Sequence, residues 1–364
     1  MAVAKPTDLN ANINVLVHEA YWEGIIPQVM LATPFTAKLM ASRRVSWKGG
    51  KVIMGITDTK ELTGHMQVYG ENTAMTVQRS SFLENPYWDW KFAQNPIAYT
   101  MKEYIQNGGS YSEADLVKLL VSKSNRASRL GMNNMMYGIP VNSLPGGTAT
   151  PYTIYTDTEG TDDSLGFQSV RHALTHGTGT TTKYGHIARD YSGPTNAYWE
   201  SADLGGWAST AGVQTTACDA NIDNVRIAID ECSQWLEKPG EFLAVCGPAN
   251  YRKLKKWVEA KRIDTGKGEL VKFGFDSFTI DNVEFVKDNW LKEANIVGGS
   301  TMFFLFHMPS WELRIHPDRS FEFTDFTWQG DKPDGLDQWV ARILLAGNLI
   351  CNQPNCNMFL TSMS

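Results

Sequence analysis

In the run KYGHIARDY, residues 183 to 191, His186, Arg189 and Asp190 stand beside Tyr184 and Tyr191, with Trp199 shortly after. A base, a cation and a carboxylate this close could do acid–base work, because histidine changes charge near neutral pH and arginine steadies an anion. Neighbours along a loop or strand point in different directions, however, and catalytic sets converge from distant segments. The same side chains could equally do no more than hold a loop in place.

His172 and His176 would share one face of a helix, as paired zinc ligands do, but Ala173 stands where the metalloprotease motif needs its glutamate. The stretch HGTGTTTKYG lacks the residue order of a phosphate-binding loop, and no G-x-S-x-G elbow occurs. NPYWDW sets Tyr87, Trp88 and Trp90 around Asp89, a group that could stack on a sugar, although buried or interface aromatics beside a charge look the same. The basic run YRKLKKWVEAKR could touch nucleic acid, but it needs no such role as the outer face of an amphipathic helix. Five cysteines, at 218, 232, 246, 351 and 356, form no CxxC pair and cannot all pair within one chain, so reduced thiols in a cytosolic setting are expected. The expectation is a chain that is not an enzyme, with no catalytic, cofactor-binding or metal-binding residue and no cofactor.

The elements that would have to position these groups belong to a long, ordered chain. Its 364 residues allow two or three compact units, and 42% hydrophobic content with 12 Trp, 13 Tyr and 16 Phe favours sheet-rich globular structure. The net charge of −6 gives no positive field toward phosphate backbones. No stretch approaches the length of a membrane span, and no signal-like apolar run opens the chain. Fixed-period repeats are absent, which removes solenoids and propellers.

The first 40 residues, with Pro6, Pro27 and Pro34, read as an extended arm with one short helix around 13–22. VSWKGGKVIMGI alternates at Val45 and Trp47, turns at Gly49-Gly50 and resumes at Val52, Met54 and Ile56, the pattern of a hairpin; another run alternates at Met75 and Val77. Such strand pairs bury no face by themselves, so another copy of the chain is the expected cover. From Ser112 to Gly138 the period becomes helical, with an apolar stripe of Leu116, Leu119, Leu120, Ala127, Leu130 and Met135 and a solvated face of Lys118, Lys123, Ser124, Arg126 and Arg129. Residues 142–166 are loop-like. A helix through Ile222, Val225, Ile229, Cys232 and Leu236, ending near Pro239-Gly240, leads to a buried strand at EFLAVC and a second helix through Tyr251, Leu254 and Val258. Beyond 273 strands dominate, with a turn at Asp281-Asn282, a buried run at TMFFLF, alternation at Trp311, Leu313 and Ile315, further strand residues at Phe321 and Phe323, and the long run WVARILLAGNLI.

The order of these segments resembles the major capsid protein of tailed bacteriophages, the shell subunit with the Hong Kong 97 fold. Four stretches carry the likeness: GFQSVRHAL with YGHIARDY and Trp199; NIDNVRIAIDECSQW with PGEFLAVCGPANYRKLKKW; GFDSFTIDNVEFVKDNW with TMFFLFHMPSWELRIHP; and GNLICNQPNCNMFL. It covers roughly residues 96–360, with Phe306 standing where the family often has Asn. The resemblance implies an α+β fold with an N-terminal arm (1–40), an extended β-hairpin loop (41–95), a peripheral domain with a long spine helix (96–140 and 310–364) and an axial domain (141–309). It implies a virion protein, assembled in the host cytoplasm into hexamers and pentamers of an icosahedral shell around double-stranded DNA, which it does not bind sequence-specifically. Expected partners are a separate scaffolding protein, a portal and decoration proteins, and no membrane. In the family the KYGHIARDY loop does no chemistry, so Arg189 and Asp190 are expected to position it while Ile187 and Trp199 anchor it. An encapsulin-type cage subunit and a carbohydrate-active enzyme are the alternatives.

Overall fold

The computed structural model describes residues 33–42, 44–47, 50, 52–54, 57–58, 71, 83–106, 110–137, 167–174, 183–188, 199, 217–218, 222–233, 236, 241–260, 277–289, 291, 302–330, 336–360 and 362–363. The expected helix at 13–22, the alternation at 75–77 and the loop at 142–166 lie outside them. In chain order the first elements are α1 (Pro34–Ser42), β1 (Arg44–Ser46), β2 (Val52–Met54), β3 (Thr57–Asp58), β4 (Leu83–Glu84), β5 (Tyr87–Asp89), β6 (Lys91–Thr100), α2 (Met101–Gln106) and α3 (Ser110–Tyr137). Next come α4 (Val170–Leu174), β7 (Lys183–Tyr184), β8 (Ile187–Ala188), β9 (Ala217–Cys218), α5 (Ile222–Ser233), β10 (Phe242–Cys246), α6 (Pro248–Ala260), β11 (Ser277–Ile280) and β12 (Val283–Lys287). The chain then continues through β13 (Phe303–His307), β14 (Trp311–Phe323), β15 (Thr327–Trp328), β16 (Gln338–Cys351), β17 (Met358–Leu360) and β18 (Ser362–Met363).

Two five-stranded sheets organise these elements. The first joins β1, β14, β16 and β15 in that order, with β6 also pairing β16. The second runs β11-β12-β10-β13-β17. Strands β10, β13 and β17 are buried on both faces, and the two-residue period divides the sheet between two cores. Ala244, Cys246, Phe285, Phe303 and Leu305 pack under α5 and α6, whereas Leu243, Val245, Val286, Phe304 and Phe306 belong to the larger core with Phe35, Met136 and Tyr137. Helix α6 covers the first of these faces because Tyr251, Leu254 and Val258 fall on one side of it, all buried. The turn between β11 and β12 has Asp281 and Asn282 at φ 48° and 65°, the left-handed pair that a two-residue hairpin needs.

Asn357 joins the two sheets. Its carbonyl accepts the backbone N–H of His307 and the indole N–H of Trp311, both at 2.7 Å, and its amide donates to Ser310 Oγ at 3.0 Å and to the Gln353 carbonyl at 2.7 Å. β17, in the closing stretch that the resemblance gives to the peripheral domain, pairs with β13 of the second sheet.

Three expectations change. Among the described residues the strands on either side of Gly49-Gly50 do not pair with each other: β1 pairs parallel with β14, and β2 pairs antiparallel with β5 far along the chain. The 28-residue helix α3, about 42 Å long at 1.5 Å per residue, keeps Leu120 and Met135 of the expected stripe against the core but also buries residues beside them. Val121, Ser124, Asn125, Met132, Asn133 and Met136 are buried, while Leu119 and Ala127 are exposed. Ser124, expected on the solvated face, is instead buried against β6, where the Asn95 amide reaches the Ser124 carbonyl and hydroxyl at 2.9 Å each and the Ser128 hydroxyl at 2.6 Å. Finally, α5 stops at Ser233 instead of near Pro239, and the Leu236 N–H bonds back to the Ser233 carbonyl.

Candidate functional site at the root of a two-stranded ribbon

β2 with β5 and β3 with β4 are rungs of one antiparallel ribbon. Val52 opposes Asp89, Ile53 opposes Trp88, Met54 opposes Tyr87, Thr57 opposes Glu84 and Asp58 opposes Leu83, a single register centred between residues 70 and 71. Glu71 is exposed in a turn. Strand periodicity sends Tyr87 and Asp89 outward and Trp88 inward, where it is wholly buried.

The β5 end of the ribbon is fixed to the body on several sides. The Tyr87 N–H donates to the Gly185 carbonyl at 3.2 Å. Trp88 meets Tyr184 edge to face at 5.7 Å between ring centres. The buried Asn348 amide donates to the Asp89 carbonyl at 3.1 Å, and its own carbonyl accepts the Gln168 N–H at 2.8 Å. Trp90 donates its indole N–H to the Gly50 carbonyl at 3.2 Å and lies 5.5 Å from the His316 ring. Nearby, the Arg314 guanidinium sits 4.7 Å over Trp47 and pairs with Glu312 at 2.8 Å.

KYGHIARDY contributes the hairpin of β7 and β8. Its turn residues Gly185 and His186 have φ 56° and 63°. A Cβ on Gly185 would come within 2.9 Å of Pro86 Cβ and Trp88 Cζ2, so glycine is needed both for the backbone and for the close approach. Tyr184 is wholly buried, accepts the Cys351 N–H on its hydroxyl at 2.8 Å, and receives the Trp199 indole N–H on its carbonyl at 2.8 Å. The expected anchoring by Trp199 is thus present, and Ile187 packs half-buried on the same core. Arg189, Asp190 and Tyr191 lie outside the described residues.

The other chemical candidates do not converge. His172 is buried against Tyr184, 5.5 Å between rings, and His176 lies outside the described residues. Among the described residues no group of three or more His, Cys, Asp and Glu could hold a metal. The sugar-stacking platform at NPYWDW is not formed, because Trp88 is buried and only Tyr87 of the three aromatics is exposed, at 39%. Cys232, Cys246, Cys351 and Cys356 are buried free thiols, and burial pushes Cys356 up to about 12 and raises Cys232 and Cys246 as well. Such thiols are poor nucleophiles at neutral pH. Tyr137 is raised by burial and then by the charge of Asp288 beside it.

Several large apolar side chains are exposed among the described residues. Phe92 is 70% exposed, Ile105 66%, Leu336 65% and Leu119 52%, each a large side chain. Among the described residues no helix is long and apolar enough to cross a membrane.

Sequence reading missed Asn348 and Asn357. The available signal was an amide inside or just after the otherwise apolar run ARILLAGNLIC, since a polar group buried in such a strand needs fixed partners.

No protein-family model and no curated protein sequence matches the chain. Solved structures do. A chain of the capsid asymmetric unit of cyanophage A-1(L) superposes with a TM-score of 0.61 at 10% identity, over 91% of this chain and 93% of that one. Weaker likenesses include Mycobacterium phage Ogopogo (TM-score 0.47, 11% identity, 90% and 92% covered) and the virus-like particle from Pyrococcus furiosus (0.39, 12%, 94% and 99%). The cyanophage match defines the class: this chain has the fold of a phage capsid subunit.

Proposed function

We propose that this chain is the major capsid protein of a tailed bacteriophage, a structural subunit that assembles into an icosahedral head around double-stranded DNA. The observation that carries this reading is the likeness to the cyanophage capsid chain, at a TM-score of 0.61 over 91% of this chain and 93% of the other. Large exposed apolar side chains on β6, α2 and α3 add to it, because a subunit that finishes its burial only against other copies leaves such groups uncovered.

In this reading residues 1–40 form the arm, 41–95 the extended loop built on the β2–β5 ribbon, 96–140 and 310–364 the peripheral domain with α3 as spine, and 141–309 the axial domain. Copies group as hexamers and pentamers of the virion shell. A separate scaffolding protein, a portal and decoration proteins are the partners. The protein is not an enzyme. Its net charge of −6 suits a wall that contains DNA without gripping it. Many individually modest contacts let wrong joints dissolve while closure holds the right ones.

Negative-stain microscopy of the expressed full chain tests this reading. Uniform shells, or sheets and tubes of capsomers, are expected. A protein that stays monomeric at every salt and concentration tried would overturn it.

A further inference from the structure

We propose that the Gly185–His186 turn is a clamp that sets the direction in which the ribbon leaves the body of the subunit, with His186 and Tyr87 as its two jaws. The consequence for assembly rests on the capsid reading, but the clamp itself rests on geometry alone.

β2 and β5 form a two-stranded sheet of their own. Whatever holds β5 therefore orients both strands. The turn takes hold of β5 by three kinds of contact. Gly185 accepts the Tyr87 N–H at 3.2 Å, so a backbone bond fixes the position along the strand. Gly185 also lies so close to Pro86 and Trp88 that a Cβ would approach them to 2.9 Å, which leaves the turn no room to slide. Finally the His186 ring stacks on the Tyr87 ring, 3.8 Å between centres and 11° from parallel.

The choice of histidine is informative. A turn with both central residues at positive φ favours Asn or Gly, and His186 at φ 63° adopts a conformation those residues reach more cheaply. What an imidazole adds over an asparagine side chain is a flat ring that can stack. The clamp is in turn rooted in the core through Tyr184, which is wholly buried and bonded to the Cys351 N–H and to Trp199. Force at the ribbon thus passes through Tyr87 and Trp88 into the sheet that contains β16. Because the rungs at 57–58 and 83–84 share the register of those at 52–54 and 87–89, a rotation at the clamp carries outward along the ribbon.

Hydrogen exchange on the full-length, unassembled chain tests the clamp. His186→Asn keeps a residue that this turn favours and removes the ring. It should speed exchange of the amides at 52–54, 57–58, 83–85 and 87–89 about three- to tenfold, the range expected for losing one aromatic stack. Amides of β10 and β13 should be unaffected. His186→Phe, which restores a stacking ring in a backbone conformation that Phe321 already adopts at φ 57°, should return exchange to near the wild-type rate. Tyr87→Leu should reproduce the loss. Unchanged exchange in His186→Asn, or acceleration spread evenly over the whole chain, would overturn the clamp.

Shells assembled from the same variants read the consequence. Broadened diameters or tubes are expected for His186→Asn and wild-type diameters for His186→Phe; wild-type shells from both would overturn the link to assembly. If the wild-type chain forms no shells at all, the capsid reading fails and the exchange result still decides the clamp.

Discussion

Asn348 holds Asp89 across most of the chain: its buried amide donates to the Asp89 carbonyl at 3.1 Å while its carbonyl accepts the N–H of Gln168 at 2.8 Å and of Leu349 at 2.9 Å. One side chain of the central strand β16 thus ties the ribbon root to the segment that opens α4. The arrangement is costly to break, because the N–H groups of Gln168 and Leu349 are bonded to Asn348 in buried surroundings.

Asn348→Leu keeps the branching of the side chain, adds some bulk and removes every side-chain bond. Expected is a loss of roughly 2–4 kcal/mol, the sum of a few modest bonds and the cost of buried groups left without partners. Urea unfolding should show a lower midpoint at an unchanged slope, the mark of a native-state loss without a change in compactness. A midpoint equal to wild type would show that water or a neighbour replaces the amide.

Gly185→Ala combines two penalties. The backbone φ of 56° disfavours any L side chain, and the added methyl meets Pro86 and Trp88 at 2.9 Å. Strain and overpacking together should cost roughly 2–4 kcal/mol, read as a lower melting temperature. Gly347→Ala should be at least as severe, since its methyl would run into the Arg314 carbonyl, a backbone atom of the paired strand that cannot swing aside.

Phe92→Ser and Leu119→Ser separate folding from assembly. Both side chains are largely exposed in the single chain, so unfolding free energy should change by no more than about 0.5 kcal/mol. Shell yield should fall, because apolar area that would be buried between copies is gone. The measurement pairs urea unfolding of unassembled protein with the assembled fraction after sedimentation. Equal shell yield from both variants would mean that neither residue lies in a contact between copies.

The parts legible in the sequence were those governed by local period and turn chemistry. Trp311, Leu313 and Ile315 alternate into the core, Asp281-Asn282 makes the turn, and Tyr251, Leu254 and Val258 turn one helix face inward. What was not legible depends on partners distant in the chain. Val52–Met54 has the same alternation whether it pairs with residues 45–47 or with 87–89, and only tertiary packing decides. In helix α3 the apolar stripe is partly legible, since Leu120 and Met135 pack on the core, but the contacts of Asn95 with Ser124 and Ser128 come from a distant strand and no hydrophobic pattern encodes them. At the candidate site the KYGHIARDY run was found by its chemistry. Its role in the structure comes instead from a glycine, a stacked ring and a buried tyrosine.

The buried thiols make stability depend on pH in a direction that can be worked out. Burial lifts Cys356 from the ordinary value of 9.0 to about 12 and also raises Cys232 and Cys246. A thiol raised on folding stays protonated in the native chain after it has ionised in the unfolded one. Its contribution is therefore complete below about pH 9 and declines as pH rises, by up to about 1.4 kcal/mol per pH unit per thiol, until the folded thiol itself ionises, near 12 for Cys356. Cys356→Ala removes one of these slopes. The stability gap between wild type and Cys356→Ala should hold steady from pH 7 to 8.5 and then narrow by roughly 1–2 kcal/mol by pH 10.5, read by denaturant unfolding at each pH. Parallel curves through pH 10.5 would mean that the folded chain admits the Cys356 thiolate as readily as the unfolded one does, and the buried environment assigned to it would be wrong.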